Sequence, residues 1–328
     1  FPDNAAEIDA YFEALVSGEE AIRLVSAERS MPEPFRSAHR WWNKKKIERW
    51  CGRTTSEVIG ECISDPKLAA VLSAQWGTYG GIPKQASFAI HALIIRHYLG
   101  GAGYPVGGAG SIAAGLVPVI ESAGSSARPE TMVDEILIDH GRAVGVRTMS
   151  GQEIEAPTIV SAIGAGETVD RLLPREIGEQ EWAVEIAAMQ PSICHFEMFL
   201  GFEGDIEKLG ATRSNHWFFE SWDTNDGLWT NTENPIQMMF VSFPSLKDAE
   251  HDPGPLHRHT GQFMVLADWS TVADFITDDG IKDPDKWAAF KDDVQARMLA
   301  FFANKFPALA PLVVCRVSVS YTHLTLPT

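Results

Sequence analysis

The sequence predicts a mixed α/β protein in an α+β arrangement. Three observations carry that reading. Capping signals and apolar spacing in the first hundred residues call for helices. The hydrophobic period drops to two after Arg128, and the second half interleaves strands rich in Phe, Met and Trp with helical stretches. At ~150 residues per domain, the 328 residues allow two domains or one elaborated one.

Taken in order, Ala5–Val16 is helical by composition, with acidic residues in its first turns. Arg36, Arg40 and Lys44–Lys46 then surround Trp41-Trp42. Such a mixture either touches a membrane surface or an anionic ligand, or forms a solvated helix face whose aromatics pack inward. The second is the plainer expectation. Thr54-x-x-Glu57 is a capping box opening a helix through Cys62. Asp65-Pro66 supplies an N-cap and a first-turn proline for a helix over Lys67–Trp76. Gly77–Pro83 breaks it, and a further helix spans Gln85–Leu99 before Gly100-Gly101. On that helix His91 and His97 stand about 240° apart, which removes a two-histidine metal site on one face.

The apolar segment Ser111–Ser122 carries Pro118, which should bend it, and Gly124 sits where a C-cap belongs. Val133–Ile138, Ala143–Met149 and Gln152–Glu155, with turns at His140-Gly141 and Ser150-Gly151, read as an antiparallel meander. An apolar strand at Thr158–Ile163 and a helix over Glu176–Met189 follow. Strands are expected at Ile193–Phe202, Asn215–Trp222, Ile236–Phe243 and Gln262–Trp269. Asp285–Phe306 is a long amphipathic helix with Trp287, Val294, Met298 and Phe301 or Phe302 inward, and Leu312–Val317 is strand-like. Ser318–Thr328 resembles translated adapter read-through and is expected to be non-native.

Forty-four acidic and 27 basic side chains give a formal net charge of −17. That balance argues against a nucleic-acid partner, which needs clustered Lys and Arg. Cys51, Cys62, Cys194 and Cys315 show neither CxxC spacing nor the density of a secreted disulfide framework. A reducing, cytoplasmic compartment fits, with peripheral membrane contact left open. No run reaches the ~18 apolar residues of a membrane span. Phe1-Pro2-Asp3 lacks the basic start of a signal peptide and an initiator Met, so the chain is expected to be a piece of a longer protein.

Gly108-x-Gly110-x-x-Ala113 matches a dinucleotide fingerprint letter by letter. The residues before it are broken by Gly and Pro rather than forming a strand, and Glu130 precedes the next strand, so it is a weak phosphate loop. His251, His257 and His259 lie in a Pro/Gly loop without an acidic ligand set, and no metal is expected. No Ser/His/Asp or Cys/His arrangement is identifiable, so no catalytic residue is named.

A longer pattern is more specific. It runs through Asp65-Pro66-Lys67-Leu68, Gln75-Trp76-Gly77, Ala86–Ala92, His97-Tyr98-Leu99, Tyr104–Gly108, Gly141–Val146 and Ile159–Ala162. Ser242-Phe243-Pro244-Ser245 with Asp248, then Pro253-Gly254 and His259-Thr260, continue it. On these residues the chain resembles the family of FAD-dependent phytoene desaturases, carotenoid isomerases and retinol saturases, with the retinol-saturase-like branch nearest.

The resemblance implies the remainder of an FAD/NAD(P)-binding Rossmann-like domain with an inserted mixed or antiparallel-sheet and helical substrate domain. Residues 1–99 would be the helical part of the substrate domain, 100–175 the FAD-domain remainder, 176–317 the rest of the substrate domain and 318–328 the tail. The implied cofactor is FAD. The implied substrate is an apolar polyene or isoprenoid, desaturated, saturated or isomerised. Tyr104, Pro105 and the Gly107-Gly108 turn would approach FAD, since only glycine lets backbone come so close to a bulky ligand. The backbone of Val133 would face the adenine, and Ser161-Ala162 would lie near the nucleotide, although Ala162 and Ile163 replace the family's Asn and Ala.

His91, His97, Tyr98 and Tyr104 are the polar groups expected nearest the flavin end, each alternatively a hydrogen-bonded core residue. The aromatic strands of the second half serve either a greasy tunnel or a plain sheet core. The family's N-terminal glycine loop and C-terminal cofactor stretch have no counterpart here, so the chain as it stands is expected to bind FAD weakly or not at all. The rival readings are a non-catalytic lipid or isoprenoid carrier and an amine-oxidase-like flavoenzyme with a polar cavity. The oligomeric state leaves no trace in the pattern.

Overall fold

Five helices fill the first hundred residues, α1 (Ala5–Arg29), α2 (Phe35–Cys51), α3 (Thr55–Cys62), α4 (Pro66–Ser73) and α5 (Phe88–Leu99), and local side-chain caps open α3 and α4. The computed structural model describes residues 1–189, 193–277 and 280–320. At the start of α3, Thr54 Oγ1 accepts from the Glu57 N–H while the Glu57 carboxylate accepts from the Thr54 N–H, the expected capping box. The Asp65 carboxylate caps α4 by accepting from the N–H groups of Lys67 and Leu68.

α1 outruns the expected Val16 end by thirteen residues. Gly18 is the reason it continues: a Cβ there would stand 2.9 Å from Ala92 Cβ, so the glycine serves close packing against α5 rather than a break. Tyr11, Leu15, Val58, Ile59, Leu68 and Phe88 form the core of these helices. α2 overturns the inward-packing expectation. None of its residues is buried, and Trp41 and Trp42 are 76% and 81% exposed, because α1 and α5 meet its other side chains instead.

The chain divides into two compact units, one of Phe1–Gly108 with Ser192–Ser320, the other centred on Ala109–Pro191. In the first, a five-stranded antiparallel sheet contains β-strands whose ends fall within a few residues of the expected ones. The second holds the meander strands β1 (Val133–Asp139), β2 (Arg142–Thr148) and β3 (Glu153–Glu155). The sheet of the first unit is built from β4 (Cys194–Glu203), β5 (His216–Phe219), β6 (Met238–Ser242) and β7 (Arg258–Ala267), and the last strand, Val313–Ser320. Its order is last strand–β4–β7–β6–β5. The last strand runs to Ser320, opposite Phe196, three residues into the suspected tail; residues 321–328 lie outside the described residues.

One face of this sheet packs on the helix Pro284–Lys305. Phe302 sits between Phe202 and Phe263, with ring centroids 6.0 and 4.7 Å away, and Phe243 closes the cluster. Those aromatics are therefore core. The alternate residues Phe199, Met264, Phe240 and Trp217 make a second, half-covered face, in keeping with strand alternation. Trp76 joins helices to sheet by donating its indole N–H to the Thr224 carbonyl at 2.9 Å, and it packs on Met238 and Leu266.

In the second unit the expected antiparallel meander forms, with Ile136 opposite Val146 and Val146 opposite Ile154. α6 (Gly110–Ser122) continues through Pro118. It ends in a Schellman turn at Gly124 (φ +79°): the Ser125 N–H donates to the Ile120 carbonyl and the Gly124 N–H to the Glu121 carbonyl. Two expectations fail here. Thr158–Ile163 is not a strand, because a strand needs a partner for its ladder and none of the described residues pairs with it; Val160 is 86% exposed. The helix expected over Glu176–Met189 splits into Arg175–Gly178 and Glu181–Ala187, with Gln180 as the N-cap of the latter. No helix among the described residues is long and apolar enough to cross a membrane.

Candidate functional site

The last turn of α5 and the glycine-rich segment after it form one wall of a cavity of about 790 Å³ within the first unit. His97, Tyr98, Gly101, Gly103 and Tyr104 line this wall. Arg213, Asn215 and Trp217, at the entry to β5, line the facing side with Lys247, which ends the short helix Pro244–Lys247. Gln75 completes the lining. Its side-chain oxygen is buried without a hydrogen-bond partner among the described residues.

Charge is unevenly placed here. In a chain with 44 acidic side chains, no carboxylate lines the cavity. Lys247 Nζ donates to Ser242 Oγ at 2.7 Å and to Asn215 Oδ1, both neutral. Burial pushes the Lys247 ammonium below the usual lysine range.

The Gly107-Gly108 turn adopts the left-handed backbone that its composition predicts, with φ +81° and +76°. The Gly107 N–H donates to Asp248 Oδ1 at 3.0 Å, and this bond, with a second from the Glu250 N–H, holds the Asp248 carboxyl below the ordinary range. A Cβ at Gly108 would meet nothing nearer than Asp248 Oδ2 at 4.0 Å, and at Gly101 or Gly103 nothing within 4 Å. The backbone at Gly108 is thus open on the side where a Cβ would project. Pro105 precedes it, its carbonyl accepting from the Gly108 N–H at 3.1 Å.

The other sequence-selected residues are placed differently. His91 does not line the cavity: it is fully buried in the helical core, bridging Tyr11 Oη at 2.8 Å and Tyr79 Oη at 3.1 Å. Burial lowers its pKa to about 4. In the second unit, Ser161 and Ala162 line a separate cavity of about 470 Å³ with Gly164 and Thr168, and Ser161 Oγ lies 2.7 Å from Thr168 Oγ1. Val133 opens β1 half-buried and does not line that cavity. His251 Nε2 meets the Arg258 carbonyl and His259 Nδ1 the Ser245 hydroxyl. Among the described residues no group of three His, Cys, Asp or Glu side chains could hold a metal ion.

Arg213, Asn215 and Lys247 were not singled out from sequence. Lys247 had a signal, since it stands between the Ser242–Ser245 motif and Asp248. Arg213 had none.

In the first unit a helical layer lies beside a five-stranded antiparallel sheet, and the second unit is built around a three-stranded meander. The crystal structure of an oxidoreductase from Methanosarcina mazei superposes with a TM-score of 0.56 at 18% identity, over 89% of this chain and 62% of that one. No family profile matches the chain. Sequence relatives are more specific. All-trans-retinol 13,14-reductase of Danio rerio is 34% identical over 226 residues, 63% of this chain and 37% of its own length. Chloroplastic prolycopene isomerase of Arabidopsis thaliana is 30% identical over 269 residues, 80% of this chain and 42% of its own. Phytoene desaturase (neurosporene-forming) of Cereibacter sphaeroides is 31% identical over 177 residues, 52% and 34% respectively. The chain is a homologue of this group of retinol reductases, prolycopene isomerases and phytoene desaturases, the family its motifs resemble. These named homologues are enzymes, and the chain spans less than half the length of each.

Proposed function

We propose that the chain is part of a longer FAD-dependent oxidoreductase that desaturates, saturates or isomerises C–C and C=C bonds of an apolar polyene or isoprenoid. The observation that carries this reading is the similarity to enzymes named for retinol, prolycopene and phytoene. The half-covered sheet face of Phe199, Met264, Phe240 and Trp217 supports it, as an apolar surface able to lie along such a substrate.

Bound FAD would supply the redox chemistry. The residues this reading assigns to it are Tyr104, Pro105, Gly107 and Gly108 on the first unit and, separately, Val133, Ser161 and Ala162 on the second. Asp248 would keep the Gly107 amide fixed, so that the turn holds its left-handed form without the cofactor. The aromatic side chains would orient the apolar chain and exclude water, which hydride or electron transfer requires more than a nucleophile. We also assign peripheral membrane contact to α2, where exposed Trp41 and Trp42 stand among Arg40 and Lys44–Lys46, a pattern suited to an anionic lipid surface.

The test is to express the complete reading frame that carries this chain and follow both its visible flavin absorbance and the spectrum of an added polyene. Co-purifying flavin with a shift in the polyene spectrum is expected. A colourless protein that binds the polyene unchanged would favour the carrier instead.

A further inference from the structure

We propose that the cavity between the end of α5 and Lys247 is a subsite for a carboxylate-headed apolar ligand, with Lys247 and Arg213 receiving the carboxylate and Trp217 and Tyr98 the chain. This goes beyond the redox reading: Tyr104 is shared with the residues assigned to FAD, but the carboxylate contacts, Lys247 and Arg213, are not among them and are tested without any cofactor.

Three observations converge. First, the lining carries two basic side chains, Arg213 and Lys247, and no acid, although the whole chain carries a net charge of −17. Among the described residues neither Arg213 nor Lys247 forms an ion pair, while most other Lys and Arg side chains near an acid do, as in Lys208 with Asp205 or Lys305 with Glu220.

Second, Lys247 is half-buried, and both of its hydrogen-bond partners are neutral. An ammonium has three N–H donors, so one remains for a ligand. Burying a cation without a counter-charge is unfavourable, and an arriving carboxylate relieves that cost. Burial disfavours the charged form of Lys247.

Third, the remaining lining suits the rest of such a ligand. Trp217 and the two tyrosines offer ring faces, and the volume of about 790 Å³ falls within the ~300–1,000 Å³ typical of small-molecule sites. The exposed Arg213 guanidinium offers a planar fork that matches a planar carboxylate. The unpartnered Gln75 oxygen marks a further polar position that the protein itself leaves unfilled.

The test compares farnesoic acid with farnesol, which share an isoprenoid chain and differ in the head group. Both are titrated calorimetrically into the 328-residue chain. The acid should bind at least about tenfold more tightly, about 1.4 kcal/mol, and the preference should shrink as salt rises. Lys247→Gln should abolish the preference and Lys247→Arg should restore it. Because Lys247 contacts buried Ser242, Arg213→Gln supplies a second, surface variant with an intact fold, and it should lower the preference too. Equal affinity for acid and alcohol overturns the proposal. So does failure of the acid to bind, or a preference that survives both Gln variants.

Discussion

Lowering the pH from 7 to 5 should destabilise the helical core through one residue, His91. Its ring is fully buried and its pKa is held at about 4 by burial, against 6.5 for a solvated imidazole. Between these values the unfolded chain takes up a proton that the folded chain refuses. The unfolded state therefore binds more protons across the window, and stability is lost as the pH falls through it. At ~1.36 kcal/mol per pKa unit, the penalty at pH 5 is about 2 kcal/mol, rising to about 3 kcal/mol near pH 4. Hydrogen-bonded carboxylates contribute little at pH 5: Glu7, Glu19, Glu28 and Glu61 are held below 4.5 by hydrogen-bond donors and lose their stabilisation mainly at lower pH. His216 and His259 are lowered by burial as well, so they slope the same way. A His91→Gln variant cancels all these shared contributions. Urea unfolding followed by tryptophan fluorescence at pH 7 and pH 5 should show the parent losing about 2 kcal/mol more than the variant. Equal losses in the two proteins would refute the assignment of a neutral, proton-refusing His91.

Three further outcomes follow from packing and exposure. Gly77→Ala should cost ~1–3 kcal/mol by overpacking, since its Cβ would stand 2.5 Å from the Trp217 ring and 2.9 Å from Leu266 Cδ1; unchanged urea stability would contradict this. Phe302→Ala, which empties the space between Phe202 and Phe263, should cost ~3–5 kcal/mol in the same assay. A thiol reagent at pH 8 should label Cys315 rapidly and Cys194 slowly, because Cys315 is exposed while burial pushes the Cys194 thiol up to about 11. Rapid labelling mapped to Cys194 by peptide mass analysis of Cys315→Ser would contradict the burial of Cys194.

What was legible in the sequence was what local chemistry decides. The capping box at Thr54, the Asp65-Pro66 start and the two glycine turns of the meander each act within a few residues, and each forms as expected. The left-handed turn at Gly107-Gly108 was legible for the same reason. Thr158–Ile163 was not, because apolar composition cannot supply the neighbouring strand that makes a ladder. Trp41 and Trp42 were misread because inward packing depends on which helices surround α2. The choice between Phe301 and Phe302 needed the packed helix: Phe302 continues the line of Val294 and Met298 and is completely buried. Arg213 and Lys247 lie 34 positions apart in sequence, and only tertiary structure gives them a common cavity.

The six-residue spacing of His91 and His97 excludes a shared metal, yet it also explains how α5 can serve two ends at once. One face of the helix is fixed by the Tyr11–His91–Tyr79 hydrogen bonds and by Phe88 against the first-third core. Arg96 ties the same helix to Glu19 of α1 at 2.8 Å. The last turn, on the other side, then projects His97 and Tyr98 into the cavity lining, and Gly100-Gly101 releases the chain into the open glycine segment. The position of that wall is consequently set by a buried polar clamp whose protonation the core resists. Acid that charges His91 acts directly on α5 and its cavity wall, while the sheet feels acid through His216, which packs on Phe243 and whose pKa burial also lowers.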